Sequence, residues 1–205
     1  MSLDTALARI ASLQTMLQPQ PVQPAVSQTA TQFSSALQGA NASPAAGMIP
    51  SATATSAPGT PAGQAILNAI RPEVGQAEQP PGSNDSPRIA QYRQATAGSG
   101  VGPWCAYFVS WAARQAGVPI GDSGQGFGRV DDVYAWAQRS GRAIPNGSGV
   151  KPQPGDLIVW DEHIGLVESV DADGTVHTIE GNTTGNAVAR RTHARSEALG
   201  FVRPG

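Results

Sequence analysis

The chain has 205 residues, of which 14% are charged, and its formal net charge is -2. This near balance gives no electrostatic case for binding nucleic acid, because nucleic-acid-binding domains usually present a strongly basic face. The sequence has no run of about 18 apolar residues, so we expect no membrane-spanning helix. The chain contains one cysteine, which excludes an intramolecular disulfide.

The first 62 residues predict two segments that lie outside any folded core. Residues 1–18 fit an amphipathic helix, because Leu3, Leu7 and Ile10 recur at helical spacing on one face. Residues 19–62 are rich in Pro, Ala, Ser, Thr and Gln, so they bury too little apolar surface to fold and predict a disordered linker. The chain does not open with a basic segment followed by an apolar core, so we expect no secretory signal peptide.

Residues 63–205 have the composition of a folded domain, and its first half predicts helices. The apolar spacing indicates helices at residues 65–74, 87–96, 104–116 and 130–138. The third of these has the strongest pattern, and Gly117 and Pro119 follow its end as they do at many helix termini.

The second half of the domain predicts strands. Short apolar or alternating runs indicate strands at residues 156–160, 163–170, 175–180, 187–192 and 199–203. The turn at residues 171–174 (DADG) is a hairpin signal. Its acidic residues superficially suggest a calcium loop, but the downstream ligands of an EF-hand are missing, so we expect a turn and no metal or other cofactor. Helices followed by antiparallel strands predict an α+β domain.

Cys105 is the first candidate for chemistry. It lies in the first turn of the third predicted helix, just after Gly102, Pro103 and Trp104. The free N–H groups and the positive dipole end of a helix N-terminus favour a thiolate, which is the reactive form of cysteine. A buried structural thiol is the competing interpretation, because free cysteines often pack in cores.

A thiol nucleophile needs a general base, and the chain offers three histidines. His163 opens a predicted strand, and Gly165 on the same face leaves room beside its ring. His177 lies in the middle of a strand, and His193 follows two arginines near an edge. Strand histidines commonly serve only as hydrogen-bonding residues, so position alone does not choose among them.

Glu180 and Asn182 lie at the end of the strand that follows His163 along the chain. A carboxylate or carboxamide at this place is suited to orient a histidine on a neighbouring strand and to fix its tautomer. The alternative is an ordinary strand end closed by a Gly-Asn turn.

Four blocks in this order resemble the CHAP family, the cysteine- and histidine-dependent amidohydrolases and peptidases. The blocks are WCAYFVSW at 104–111, PGDL at 154–157, HIGLV at 163–167 and IEGNT at 179–183. The resemblance extends over about residues 65–205. A fainter resemblance, at 7–11 (LARIA) and 33–37 (FSSAL), links the N-terminal segment to transglycosylase-like proteins associated with flagella in Gram-positive bacteria.

The resemblance to the CHAP family implies a papain-like fold, with the nucleophile at a helix N-terminus and the base on the sheet. By this similarity Cys105 is the nucleophile, His163 is the general base and Glu180 orients His163. Asn182 would assist the oxyanion site or the same orientation. We expect His177 and His193 to be dispensable for the reaction.

The implied substrate is peptidoglycan. Two bonds remain open: the N-acetylmuramoyl–L-alanine amide and a peptide bond of the stem or cross-bridge. The alternatives are a non-catalytic wall-binding or assembly module with the same fold, and an amidase acting on a small molecule. We expect a location in the cell wall or otherwise outside the cytoplasm, reached without a recognisable signal peptide, or by lysis if the protein is phage-derived. Residues 1–18 would bind an export or flagellar assembly partner.

Overall fold

The computed structural model describes residues 58–205. The helix predicted over residues 1–18, and the predicted linker up to residue 57, lie outside the described residues. Among the helices of residues 58–205, none has both the length and the apolar character needed to cross a membrane.

The first half of this region is helical, as predicted. It contains α1 (Pro61–Ile70), α2 (Pro87–Arg93), α3 (Cys105–Gln115) and α4 (Val130–Arg139), with a 3-10 turn at Arg71–Glu73 after α1. The prediction for α1, residues 65–74, was wrong in its bounds. The helix starts earlier because the Thr60 hydroxyl accepts a hydrogen bond from the Gly63 N–H at 3.0 Å and Pro61 occupies the first turn.

The second half forms a sheet of six antiparallel strands in the order β1-β6-β2-β3-β4-β5. The strands are β1 (Ala143–Pro145), β2 (Leu157–Val159), β3 (Ile164–Val170), β4 (Thr175–Thr183), β5 (Ala187–Ala194) and β6 (Gly200–Val202). A 3-10 turn at Arg195–Glu197 joins β5 to β6. Strand β1 was not predicted, and β4 and β5 run beyond their predicted ends. The predicted turn after β3 is present, with the Asp171 N–H donating to the Thr175 carbonyl at 2.9 Å.

Helix α3 is the centre of the core. All of its residues from Cys105 to Ala113 are buried, and the helix contacts α1 and α2 as well as β3 and β4. Tyr92, Phe108 and Trp111 pack ring against ring, with centroids 4.9 to 6.2 Å apart. Replacing a buried phenylalanine by alanine typically costs about 3–5 kcal/mol. This aromatic packing joins α2 to α3, while the contacts of α3 with β3 and β4 place the helix on the sheet and confirm the predicted α+β fold.

A buried ion pair joins the two ends of the sheet-forming segment. Asp156, only 2% exposed, accepts hydrogen bonds from Arg203 Nε at 3.0 Å and Nη2 at 2.8 Å. Its neighbour Gly155 has φ +90° and packs so closely on Gly63 that an added Cβ would lie 2.1 Å from the Gly63 Cα. The PGDL block therefore serves the fold: it ties β2 to the last strand and to the start of α1.

Candidate active site

Cys105 is the first residue of α3 and is only 4% exposed. Trp104 precedes it, and the Trp104 indole N–H donates a hydrogen bond to Glu78 Oε1 at 2.9 Å. Gly181 on β4 allows the close approach of this end of the helix, because an added Cβ would lie 2.7 Å from the Trp104 ring and 2.8 Å from Phe108. The thiol thus lies at the N-terminal turn of a helix whose first N–H groups have no partner within the helix.

A tight turn between β2 and β3 presents His163. The Trp160 N–H donates to the His163 carbonyl at 2.9 Å, and the two rings stack with their centroids 5.6 Å apart. His163 Nε2 lies 2.9 Å from Glu180 Oε2. Because Nε2 is occupied by this carboxylate, Nδ1 is the ring nitrogen left for the Cys105 thiol, which also interacts with His163.

Glu180 is buried, with only 1% of its surface exposed. Its Oε2 faces His163, and its Oε1 accepts hydrogen bonds from Thr178 Oγ1 at 2.5 Å and from His193 Nε2 at 2.7 Å. The side chain fits against β3 because Gly165 has no Cβ: an added one would lie 2.6 Å from the Glu180 Cγ. The space that the sequence predicted beside His163 is therefore filled by the carboxylate that contacts it.

These contacts determine the charges of His163 and Glu180. Burial lowers the pKa of His163, but the interactions with Cys105 and Glu180 outweigh it and raise the pKa to about 9. Burial raises the pKa of Glu180, but hydrogen bonds from His163, Thr178 and His193 outweigh it and lower the pKa to about 2. At neutral pH the site therefore holds an imidazolium ring beside an ionised carboxylate.

One known protein family matches the part of the chain that contains these site residues. A family model described as "CHAP domain" matches residues 96–182, a stretch that includes Cys105, His163, Glu180 and Asn182. Residues 96–182 of this chain are therefore similar to a CHAP domain. A CHAP domain indicates a hydrolase of the cell-wall class, which is the broad class that the sequence predicted.

Solved structures are similar to this chain as well. The peptidoglycan hydrolase RipB from Mycobacterium tuberculosis is 19% identical, with a TM-score of 0.42 over 89% of this chain and 90% of that chain. Ly7917 is 16% identical, with a TM-score of 0.38 over 69% of this chain and 62% of that chain. No curated protein matches the sequence.

Asn182 is the fourth site residue that the sequence predicted. It lies in a bulged part of β4 with φ 55°, and within residues 58–205 its side chain makes no hydrogen bond to His163 or Cys105. Its left-handed backbone suits an asparagine at the strand end. The geometry thus accounts for Asn182 through its backbone conformation, and the role implied by the family resemblance stays a prediction.

His193, which the sequence analysis weighed as a base and expected to be dispensable, also contacts Glu180. It lies on β5, beyond the matched residues 96–182, and its Nε2 contacts Glu180 Oε1, whereas His163 contacts Oε2. The available signal was the hairpin from β4 to β5, which pairs His193 with Val176 and so places it near Thr178. By contrast, His177 is bound to Asp171 at 2.7 Å, away from the site.

A cleft of about 400 Å³ opens at Cys105. Its charged lining consists of Arg129, Asp131, Asp161 and Glu162. A cavity of about 420 Å³ elsewhere, near Lys151, has no cysteine or histidine in its lining. Within residues 58–205, no group of three or more His, Cys, Asp and Glu side chains is arranged to hold a metal ion.

Proposed function

We propose that this domain hydrolyses an amide bond of peptidoglycan through a covalent acyl-enzyme on Cys105. The observation that carries the proposal is the line of contacts from Cys105 to His163 to Glu180, which begins at a helix N-terminus. A nucleophile, a base within its reach and a third group that orients the base form the general pattern of nucleophilic hydrolases.

In the first half of the reaction, the Cys105 sulfur attacks the carbonyl carbon of the amide. The carbonyl oxygen becomes an oxyanion, which the free backbone N–H of Cys105 stabilises at the helix N-terminus. His163 then donates its Nδ1 proton to the leaving nitrogen. The C–N bond breaks, the amine departs, and a thioester remains on Cys105.

In the second half, water enters the position that the amine has left. Neutral His163 accepts a proton from this water, and the resulting hydroxide attacks the thioester carbonyl. The C–S bond breaks, the product leaves as a carboxylic acid that ionises in solution, and the thiolate–imidazolium pair is restored. Throughout both halves Glu180 remains ionised and holds His163 Nε2.

The cleft supports a polar substrate. Its lining carries one cation, Arg129, and three carboxyl groups, Asp131, Asp161 and Glu162. Peptidoglycan stems contain both amino and carboxyl groups next to their amide bonds. Their amino groups can pair with the carboxyl groups of the cleft, and their carboxyl groups can pair with Arg129. Both the muramoyl–alanine amide and a stem or cross-bridge peptide bond fit this description. A cell-wall substrate implies action outside the cytoplasm, with residues 1–18 serving an export or assembly partner.

The test is digestion of purified sacculi by the full chain, with the released muropeptides analysed by mass spectrometry. A glycan with a free lactyl carboxyl and a released peptide that begins with L-alanine identify cleavage of the muramoyl–alanine amide, whereas a shortened stem that stays on the glycan identifies cleavage of a peptide bond. His163→Ala should reduce release about 10²–10⁴-fold, the usual contribution of a general acid–base. His177→Ala is the matched control and should retain most activity, because His177 contacts Asp171 and Thr192 and none of the site. Equal losses in the two variants would contradict the assignment of the base.

A further inference from the structure

His193 contacts two carboxylates at once. Its Nε2 lies 2.7 Å from Glu180 Oε1, and its Nδ1 lies 3.2 Å from Glu197 Oε2. The side chain is 16% exposed, so this contact is largely shielded from water. Because both ring nitrogens face carboxylate oxygens, simultaneous hydrogen bonds require a proton on each nitrogen.

The two carboxylate oxygens of Glu180 contact two different histidines. Oε2 faces His163, while Oε1 is held by His193 and by Thr178 Oγ1. A carboxylate that is bound at one oxygen only can rotate about its last bond, whereas one bound at both oxygens is fixed. The hydrogen bonds at Oε1 therefore determine where Oε2 lies relative to the ring of His163.

Trp160 covers this arrangement. Its ring centroid lies 4.6 Å from that of His193 and 5.6 Å from that of His163. An aromatic ring over both histidines excludes water from the carboxylate between them, and hydrogen bonds to charged groups are stronger where water is excluded. The surroundings therefore increase the effect of His193 on Glu180.

Glu197 holds the far side of His193. Its Oε1 accepts a hydrogen bond from the Ala194 N–H at 3.2 Å, which fixes the carboxylate within the 3-10 turn after β5. Within residues 58–205, the side chains that contact the ring of His193 are thus Glu180 from β4, Glu197 from the 3-10 turn and Trp160. Thr178 binds the same oxygen of Glu180 as His193 does.

We propose that His193 is a positioning residue for the reaction, which acts by fixing the Glu180 carboxylate so that one oxygen is directed at His163. It does not touch Cys105 or the reacting atoms. This role rests on the proposed function, because it matters only if His163 is the general acid and base. It extends the line of contacts to five residues: Cys105, His163, Glu180, His193 and Glu197.

The experiment measures the proton on His163 directly, by NMR of the imidazole nitrogens as a function of pH in the full chain. Three histidines make the spectrum simple to assign with single variants. The compared proteins are the wild type, His193→Ala, His193→Gln and the control His177→Ala. Glutamine keeps an N–H donor near the place of the imidazole Nε2, whereas alanine removes the donor.

In the wild type the His163 ring should lose its proton near pH 9. His193→Ala should lower this midpoint by about one pH unit, because Glu180 Oε1 then keeps only its hydrogen bond from Thr178 and the carboxylate holds the imidazolium less firmly. His193→Gln should restore most of the difference, and His177→Ala should leave the midpoint unchanged. The value of kcat/KM on soluble muropeptides should fall about tenfold in His193→Ala through kcat and recover in His193→Gln.

A His163 midpoint that stays in place or rises in His193→Ala would overturn the proposal, as would a loss that glutamine does not repair. If His193→Ala fails to fold, the nitrogen NMR spectrum of His193 in the wild type still tests the proposal. In the wild type, His193 Nε2 must carry the proton that it donates to Glu180 Oε1, and an Nε2 without a proton would overturn the proposal. The titration uses no substrate, so failure to cleave peptidoglycan would refute the proposed function separately.

Discussion

His163 Nε2 lies 2.9 Å from Glu180 Oε2, in a pocket where the glutamate is almost wholly buried. Burial lowers the pKa of His163, but the interactions with Cys105 and with this carboxylate outweigh burial and raise the pKa from its ordinary 6.5 to about 9. The positive charge of His163 and the negative charge of Glu180 underlie the predictions on pH dependence and stability.

The reactivity of Cys105 should depend on His163. A free thiol with a pKa of about 8.5 is less than about 1% ionised at about pH 6, whereas a thiol paired with an imidazolium reacts readily there. Iodoacetamide should therefore alkylate the wild type at least about tenfold faster than His163→Ala at this pH. Intact-mass spectrometry measures the rate without ambiguity, because the chain has a single cysteine. Equal rates would mean that the two side chains are not coupled.

Glu180→Gln should shift the pH dependence of the reaction. His163 must be protonated to donate to the leaving amine, so activity falls as pH rises through its pKa of about 9. A neutral amide holds the imidazolium less well, so this alkaline limb of kcat/KM should move to lower pH. The rate near neutral pH should fall less than in His163→Ala, since an orienting group is partly replaceable. If the alkaline limb of the kcat/KM profile lies at the same pH in Glu180→Gln and in the wild type, Glu180 does not hold the His163 imidazolium.

Glu180 should also make stability depend on acid. Its pKa falls from 4.5 in the unfolded chain to about 2 in the folded one, so its contribution is present above pH 4.5 and is lost as the pH falls through 2. A shift of this size corresponds to on the order of 3 kcal/mol. The free energy of unfolding in urea should therefore decrease more steeply over this range in the wild type than in Glu180→Gln.

The exposed Glu162→Gln is the control for that comparison and should follow the wild type. The contribution of His163 to stability depends on pH in the opposite direction. Its raised pKa contributes stability that is present below pH 6.5 and is lost as the pH rises through about 9. Parallel acid profiles for the wild type and Glu180→Gln would show that the carboxylate is not ionised in the folded state.

A chain that starts at residue 58 should fold and cleave soluble muropeptides as well as the full chain. The Thr60 cap, Pro61 and the packing of Gly63 on Gly155 are all retained in it. A chain that starts at Gly63 loses the cap, which typically costs about 1 kcal/mol, and should melt at a lower temperature. Loss of activity in the longer of the two truncated chains would show that residues before 58 belong to the catalytic unit.

Local signals in the sequence account for much of this molecule. The apolar spacing of α3 and the Gly-Pro signal after it predicted the central helix, and the DADG turn predicted the hairpin of β3 and β4. The residue types and their order match the pattern of the CHAP family and so predict Cys105, His163 and Glu180 as site residues. Gly165 predicted open space beside the ring of His163, and the structure shows that this glycine also makes room for the Glu180 side chain.

Features that depend on long-range pairing were not predicted. Strand β1 has only three residues and forms because Ile144 pairs with Phe201 near the other end of the domain. His193 reaches Glu180 because β5 extends past its predicted end and lies beside β4, with a bulge after Glu180. Neither the register nor the bulge follows from the spacing of residues along one strand.

The most direct test of the central claim is the rate at which Cys105→Ala releases muropeptides from purified sacculi, compared with the wild type at equal concentration. The substitution removes the sulfur at the first residue of α3 and leaves the rest of the site in place. If Cys105 forms the acyl-enzyme, release should fall to the level of buffer while circular dichroism shows an unchanged fold. Release by a folded Cys105→Ala protein at a rate near that of the wild type would contradict the mechanism.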